Sequence, residues 1–194
     1  EHTNEPYAIA KIAGIKMCQA YNKQYKLDYL SLMPTNLYGP RDNYDSKTSH
    51  VMAALIKKFI IAKKQNSPTV TCWGSGKPLR EFLHANDLAE ASVFALEYWD
   101  PSTEKAPKDI NGNKLLYLNI GTGKDISIKE LAEKIASKTG FEGEINWDTT
   151  KPDGTFQKKL DTSRINNLGW YPRINLDEGI EQTIKLLQIQ NSFF

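Results

Sequence analysis

The chain has 194 residues, of which 40% are apolar and 25% charged, and its 25 basic and 23 acidic side chains leave a formal net charge of +2. Such a length makes one domain of ordinary size or one and a half small ones, and such a composition excludes disorder, collagen-like repeats and disulfide miniproteins. The charge bias is too small to select a nucleic-acid partner, and no apolar run is long enough to span a bilayer. Two cysteines, Cys18 and Cys72, offer neither a disulfide framework nor a metal-ligand spacing. No Asn-x-Ser/Thr acceptor occurs, which points to a cytoplasmic protein. The opening Glu1-His-Thr-Asn-Glu-Pro6 lacks both a starting Met and a signal-peptide pattern, and is expected to be a cut end.

Along the chain, Pro6 stands where proline suits a helix start, and residues 7–25 are apolar nearly all round, which predicts a buried helix. Leu27 to Met33 reads as a strand stopped by Pro34, followed by a loop of turn formers from Thr35 to Thr48. Ser49 is placed to cap a helix with apolar rows Val51/Leu55/Phe59 and Met52/Ile56/Ile60. A strand around Val70 ends in the turn Gly74-Ser-Gly76-Lys-Pro78, and Glu81 to His84 reads as another strand. Asn86 or Asp87 opens a helix through Tyr98, and residues 100–114 form an exposed loop. Tyr117 to Ile120 is a strand, and Ser127 with Glu130 makes a capping box. Strand 144–147, the loop Lys151-Pro-Asp-Gly-Thr155, a short helix from Thr162 and a last helix over 176–190 complete the chain. Strands alternating with helices predict an α/β architecture, with a soft boundary near residue 72 and chain exchange between the two parts.

Tyr7 and Lys11 stand at i and i+4, on one face of the first predicted helix. An ammonium beside a phenol favours the phenolate and brings the hydroxyl towards proton exchange near neutrality. Alone, Tyr-x-x-x-Lys reads rather as a tyrosine packed under a lysine stem. Glycine pairs at Gly74-x-Gly76 and Gly121-x-Gly123 have Leu79 and Ile126 where a third glycine would complete a phosphate turn. Cys18 is best explained as packing on an apolar helix, His84 as a structural histidine in a strand, and His2 as lying at a chain end.

Context sharpens the picture. Glu5-Pro-Tyr-Ala-Ile-Ala-Lys-Ile-Ala-Gly14, Met33-Pro-Thr-Asn-Leu-Tyr-Gly-Pro40, Asn43, Ser49-His50-Val51, Trp73-Gly-Ser-Gly76, Arg80-Glu-Phe-Leu-His84 and Lys151-Pro-Asp-Gly-Thr155 occur in an ordered series. The series resembles the extended short-chain dehydrogenase/reductases that act on nucleotide sugars, and within them the epimerase-reductases of GDP-4-keto-6-deoxyhexoses. It covers the whole chain except the loop 100–114.

The resemblance implies the C-terminal part of a Rossmann-type doubly wound parallel sheet, residues 1–72, and a smaller α/β nucleotide-sugar domain, residues 73–194, with some exchange back. It implies NADPH as cofactor, a GDP-sugar as substrate and a homodimer as the full assembly. Tyr7 would protonate the C4 oxygen during reduction, and Lys11 would hold the nicotinamide ribose. His50 would act in the acid/base pair that inverts C3 and C5, an imidazole being suited to proton transfer near neutral pH. The cofactor site would also include Asn36, Leu37 and His50. Substrate would be held by Asn36, by Val51, Leu55 and Trp73 around the base, and by Lys58, Arg80 and Lys158 on the diphosphate. The family's glycine-rich turn, catalytic Ser and epimerising Cys precede its Tyr, so the 194 residues alone are expected to be inactive. Two other readings stay open: a different nucleotide-sugar epimerase or dehydratase, and a non-catalytic nucleotide-sugar binding module.

Overall fold

The computed structural model describes residues 4–45 and 48–190, so His2 lies outside the described residues. In chain order the elements are α1 (Glu5–Tyr25), β1 (Ser31–Pro34), β2 (Asn36–Tyr38), α2 (Val51–Lys64), β3 (Thr69–Trp73), β4 (Leu79–His84) and α3 (Ala85–Tyr98). They continue with β5 (Tyr117–Ile120), β6 (Asp125–Ser127), α4 (Ile128–Thr139), β7 (Glu144–Asp148), β8 (Gln157–Lys158), α5 (Ser163–Leu168) and α6 (Leu176–Gln190). The α/β class is as expected. Most pairings are parallel: β1 with β5, β2 with β4, β3 with β7 and β4 with β8, while β4 and β6 run antiparallel.

The chain changes partners at a single residue. Thr35 separates β1 from β2, and its N–H reaches the Ile120 carbonyl at 3.0 Å. Before it the strand pairs with β5, and after it with β4. Asn36 thus sits just beyond the C-terminal end of a parallel strand, where the chain crosses between sheets, and such positions open ligand clefts.

Two hydrophobic clusters hold the elements. One joins α2, α4 and α6 through Phe59, Ile56, Leu131, Ile135 and Ile180. The other gathers Leu83, Ala91, Leu118, Ile120 and Ile165 from α3, β4, β5 and α5, with Trp170 just beyond α5. Strand β1, from the first part of the sequence, therefore pairs with β5 from the second, and the boundary expected near residue 72 falls inside β3.

Several expectations need correction. The first helix is not buried: no residue of α1 falls in the buried class, because the closely packed pairs of elements do not include it. Cys18 is accordingly only half-buried. Ser49 does not cap α2; the N-cap is His50, whose side chain makes no capping bond. The α3 cap is His84 itself, whose Nδ1 accepts from the Asn86 N–H at 3.2 Å, rather than Asn86 or Asp87. Strand β1 starts four residues after Leu27, and β2 occupies the start of the expected loop. Strands β6 and β8 were not foreseen; two or three residues are too few for a periodic pattern, and pairing with β4 defines them. The Ser127–Glu130 capping box is present in full.

Candidate functional site

Tyr7 and Lys11 share a face of α1, with the Lys11 ammonium 5.3 Å from the Tyr7 ring centroid. Tyr7 is 61% exposed, so its hydroxyl is open to a reacting group. Among the described residues no hydrogen bond or ring contact links this pair to Asn36 or His50.

Asn36 is held from behind. Its Nδ2 donates to the Glu81 carbonyl at 2.8 Å, and Thr35 Oγ1 donates to the same oxygen at 3.2 Å. With Pro34, Thr35, Lys158, Lys159 and Leu160 it lines a cleft of about 420 Å³, so the structure brings Asn36 and Lys158 together. Leu37 points the other way and packs on the second hydrophobic cluster. His50 is exposed at the start of α2. The next residue, Val51, is exposed, whereas Leu55, one turn further on, is buried in the α2–α4–α6 core.

A second grouping runs across the strand ends. Lys58 donates from Nζ to the Thr71 carbonyl of β3 at 2.7 Å, which carries a cation to the strand that ends in Trp73. Trp73 is 71% exposed, so it is a surface wall and not a core tryptophan. Arg80 is half-buried, with Nη1 donating to its neighbour's carbonyl at 2.7 Å, and lies in register opposite Lys158 on β8. Arg80 and Lys158 therefore face each other on paired strands, Lys58 reaches β3 from α2, and Lys158 extends the series to Asn36. Two larger clefts, of about 810 and 650 Å³, contain none of the anticipated residues.

Glu81 escaped the sequence reading. It is completely buried, and its Oε1 accepts from the N–H groups of Thr122 (2.6 Å) and Gly123 (2.8 Å) while Oε2 accepts from Leu160 N–H (2.7 Å). A Cβ at Gly121 would collide with that carboxylate. The Gly121-Thr-Gly123 turn thus does bind an anion through its backbone, but the anion is Glu81 of the same chain. An acidic residue in the middle of a strand, followed by Phe82 and Leu83, was the available signal, because a charge is buried only where donors surround it. His84 is likewise structural: burial lowers its pKa, and its ring meets Tyr38 edge-on at 5.3 Å.

A Tyr–Lys pair on one helix face and a cleft at a parallel strand's C-terminal end are thus carried on an α/β fold. The chain belongs to the NAD dependent epimerase/dehydratase family, which matches residues 1–111.

Its relatives are more particular. GDP-L-fucose synthase of Escherichia coli strain K12 is 48% identical over 198 residues, covering 100% of this chain and 59% of the relative. A GDP-6-OMe-4-keto-L-xylo-heptose reductase from C. jejuni superposes with a TM-score of 0.86 at 33% identity, covering 98% of this chain and 62% of that one. A GDP-mannoheptose C4 reductase from Campylobacter jejuni with NADP bound gives 0.81 at 32% identity, over 97% and 61%. The chain thus spans between about half and three-fifths of the length of the proteins it matches.

Proposed function

We propose that the chain forms the substrate-side part of an NADPH-dependent enzyme that inverts C3 and C5 of GDP-4-keto-6-deoxy-D-mannose and reduces C4, giving GDP-L-fucose. The observation that carries this reading is Arg80 in register with Lys158, together with the exposed wall of Trp73. Two cations and a flat apolar surface answer the chemistry of a nucleoside diphosphate. The identity to GDP-L-fucose synthase across the whole chain supports the choice of sugar.

In this reading Arg80, Lys58 and Lys158 neutralise the diphosphate, and Trp73 and Val51, with Leu55 behind it, flank the guanine. A ketone at C4 acidifies the protons at C3 and C5, so each centre inverts through an enolate. The His50 imidazole exchanges a proton on one face of the ring. Tyr7 gives its phenolic proton to the C4 oxygen, and Lys11 holds the ribose and keeps a positive charge beside that phenol. Asn36, with Leu37 behind it, orients the sugar and the nicotinamide.

The residues present fit the nicotinamide end of the dinucleotide. Tyr7 and Lys11 share an exposed face, and Asn36 lines an open cleft. They do not fit its pyrophosphate, since the glycine turn at 121–123 is already occupied by Glu81. NADPH, when bound, supplies the hydride for C4. These 194 residues by themselves are accordingly expected not to oxidise NADPH. The division into a Rossmann part over 1–72 and a substrate part over 73–194, a cytoplasmic location and a homodimer belong to the same proposal. Among the described residues no helix is long and apolar enough to cross a membrane.

A second reading is a C4 reductase of a GDP-keto sugar without epimerisation, favoured by the likeness to the heptose reductase. One experiment separates the two. In the complete enzyme, deuterium incorporation at C3 and C5 is followed without NADPH, and NADPH consumption with it. Tyr7→Phe should stop reduction and leave exchange intact, while His50→Gln should slow exchange by ~10²–10⁴-fold. Wild-type protein that reduces substrate without exchange would establish the second reading instead.

A further inference from the structure

The loop Lys151-Pro-Asp-Gly-Thr155 has no part in the roles assigned above, yet it is tied into the strand edge. Strands β3 and β7 run side by side to a common end, Trp73 opposite Asp148, and the Gly74 N–H reaches the Asp148 carbonyl at 2.9 Å. Beyond that point a side-chain pair ties the two segments together. Asp153 accepts from the Ser75 backbone N–H at 2.8 Å and from the Ser75 hydroxyl at 2.6 Å. Gly74 makes room for it: at φ +80° and with a Cβ that would strike the Asp153 carboxylate, position 74 takes no larger residue.

What the loop carries is informative. Lys151 places its ammonium 5.6 Å from the Trp73 ring centroid. Gly154 lies so close to the Arg80 guanidinium that a Cβ there would stand 3.0 Å from Nη2. Immediately after the loop, the Phe156 carbonyl accepts from Leu79 N–H at 2.7 Å and β8 begins, which sets Lys158 opposite Arg80. The loop is exposed from Lys151 to Phe156 and buries no side chain, so packing does not hold it. Its anchors are polar, and Ser75–Asp153 is the side-chain anchor at its centre.

We infer that the Ser75–Asp153 pair is a clasp that positions Arg80 and Lys151 for a nucleoside diphosphate, acting through the loop and not by touching the ligand. Holding a six-residue exposed segment in one arrangement before the ligand arrives removes an ordering cost from binding. The inference rests on the proposal that Trp73 and Arg80 form the nucleotide site. It makes Ser75 and Asp153 positioning residues.

The test is calorimetric titration of GDP into the wild-type chain and into Ser75→Ala, Asp153→Asn, the double variant and Arg80→Ala, with thermal melts alongside. The clasp requires both single variants to raise the Kd for GDP by about three- to tenfold from the lost preorganisation, with only a small change in melting because Asp153 is exposed. The double variant should be no weaker than either single one, since the two side chains act as one unit. In the complete enzyme the same variants should raise KM and leave kcat. If Asp153→Asn weakens binding and Ser75→Ala does not, Asp153 contacts the ligand itself and the clasp is overturned. Weakening by Arg80→Ala alone would mean that the loop needs no clasp, which also overturns it. No effect of Arg80→Ala would remove the nucleotide site and the clasp with it.

Discussion

Helices α1 and α2 are both rich in apolar side chains, yet none of the 21 residues of α1 is buried while α2 buries seven of its 14. Both helices form for the same local reasons, and they differ in what lies beside them. The apolar rows of α2 meet α4 and β3, whose side chains close around Phe59, Ile56 and Leu55. Those of α1, including Ile12, Met17 and Tyr21, meet no comparable layer and remain exposed. In these 194 residues α2 is built into a core, and the Tyr–Lys pair stands on a helix that is not.

The sharpest way to break this comparison is to truncate one side chain from each helix. Phe59→Ala removes a fully buried ring and should cost about 3–5 kcal/mol in urea unfolding. Ile12→Ala removes an exposed side chain and should change stability by less than about 0.5 kcal/mol. Equal losses would mean that α1 is covered in solution, by a second copy for example, and the contrast would vanish.

Arg80→Ala probes the polar edge rather than the core. Losing a charge-assisted contact to phosphate should weaken GDP binding by about 1.5–3 kcal/mol, with the effect on turnover confined mainly to KM. Ser127→Ala should cost roughly 1 kcal/mol, because its hydroxyl accepts the Glu130 N–H at 3.1 Å in the capping box. Ser49→Ala, beside an N-cap that makes no side-chain bond, should cost far less. Denaturation midpoints of the two variants check the pair.

The smallest expected effect is that of pH. Burial pulls the His84 pKa below its ordinary 6.5, against the opposing fields of Asp87 and Glu178, so the fold prefers the neutral ring. Its contribution is complete above pH 6.5 and lost as pH falls towards the folded value. A second decline should begin below the usual carboxylate range. Asp153, held by Ser75, and Asp148, held by Thr150, have lowered pKa values, so their contributions are present above 3.8 and lost as pH falls through the folded values. Urea midpoints between pH 8 and pH 3 should show both steps, and His84→Gln should remove the first.

Where local chemistry decides, the chain could be read directly. The Ser127–Glu130 box, the run of helix over 176–190 and the strand Tyr117–Ile120 depend on residues within a few positions of each other. The same holds for Tyr7 and Lys11, which one helical turn puts on a common face. Other features depend on residues far apart. Strand β8 exists because Arg80 pairs with Lys158, and β2 because Asn36 pairs with Phe82. Neither segment is long enough to announce itself.

The sequence by itself determined the α/β class, the order of the main elements and the set of chemically able side chains, because periodicity, caps and turn residues act over one or two turns of chain. Only the tertiary structure decided which of those side chains meet. It buried Leu55, exposed Trp73, gave the glycine turn at 121–123 to Glu81 and joined Ser75 to Asp153 across 78 positions. Burial and anion binding require groups brought together from distant parts of the chain, and no local pattern encodes who the neighbour will be.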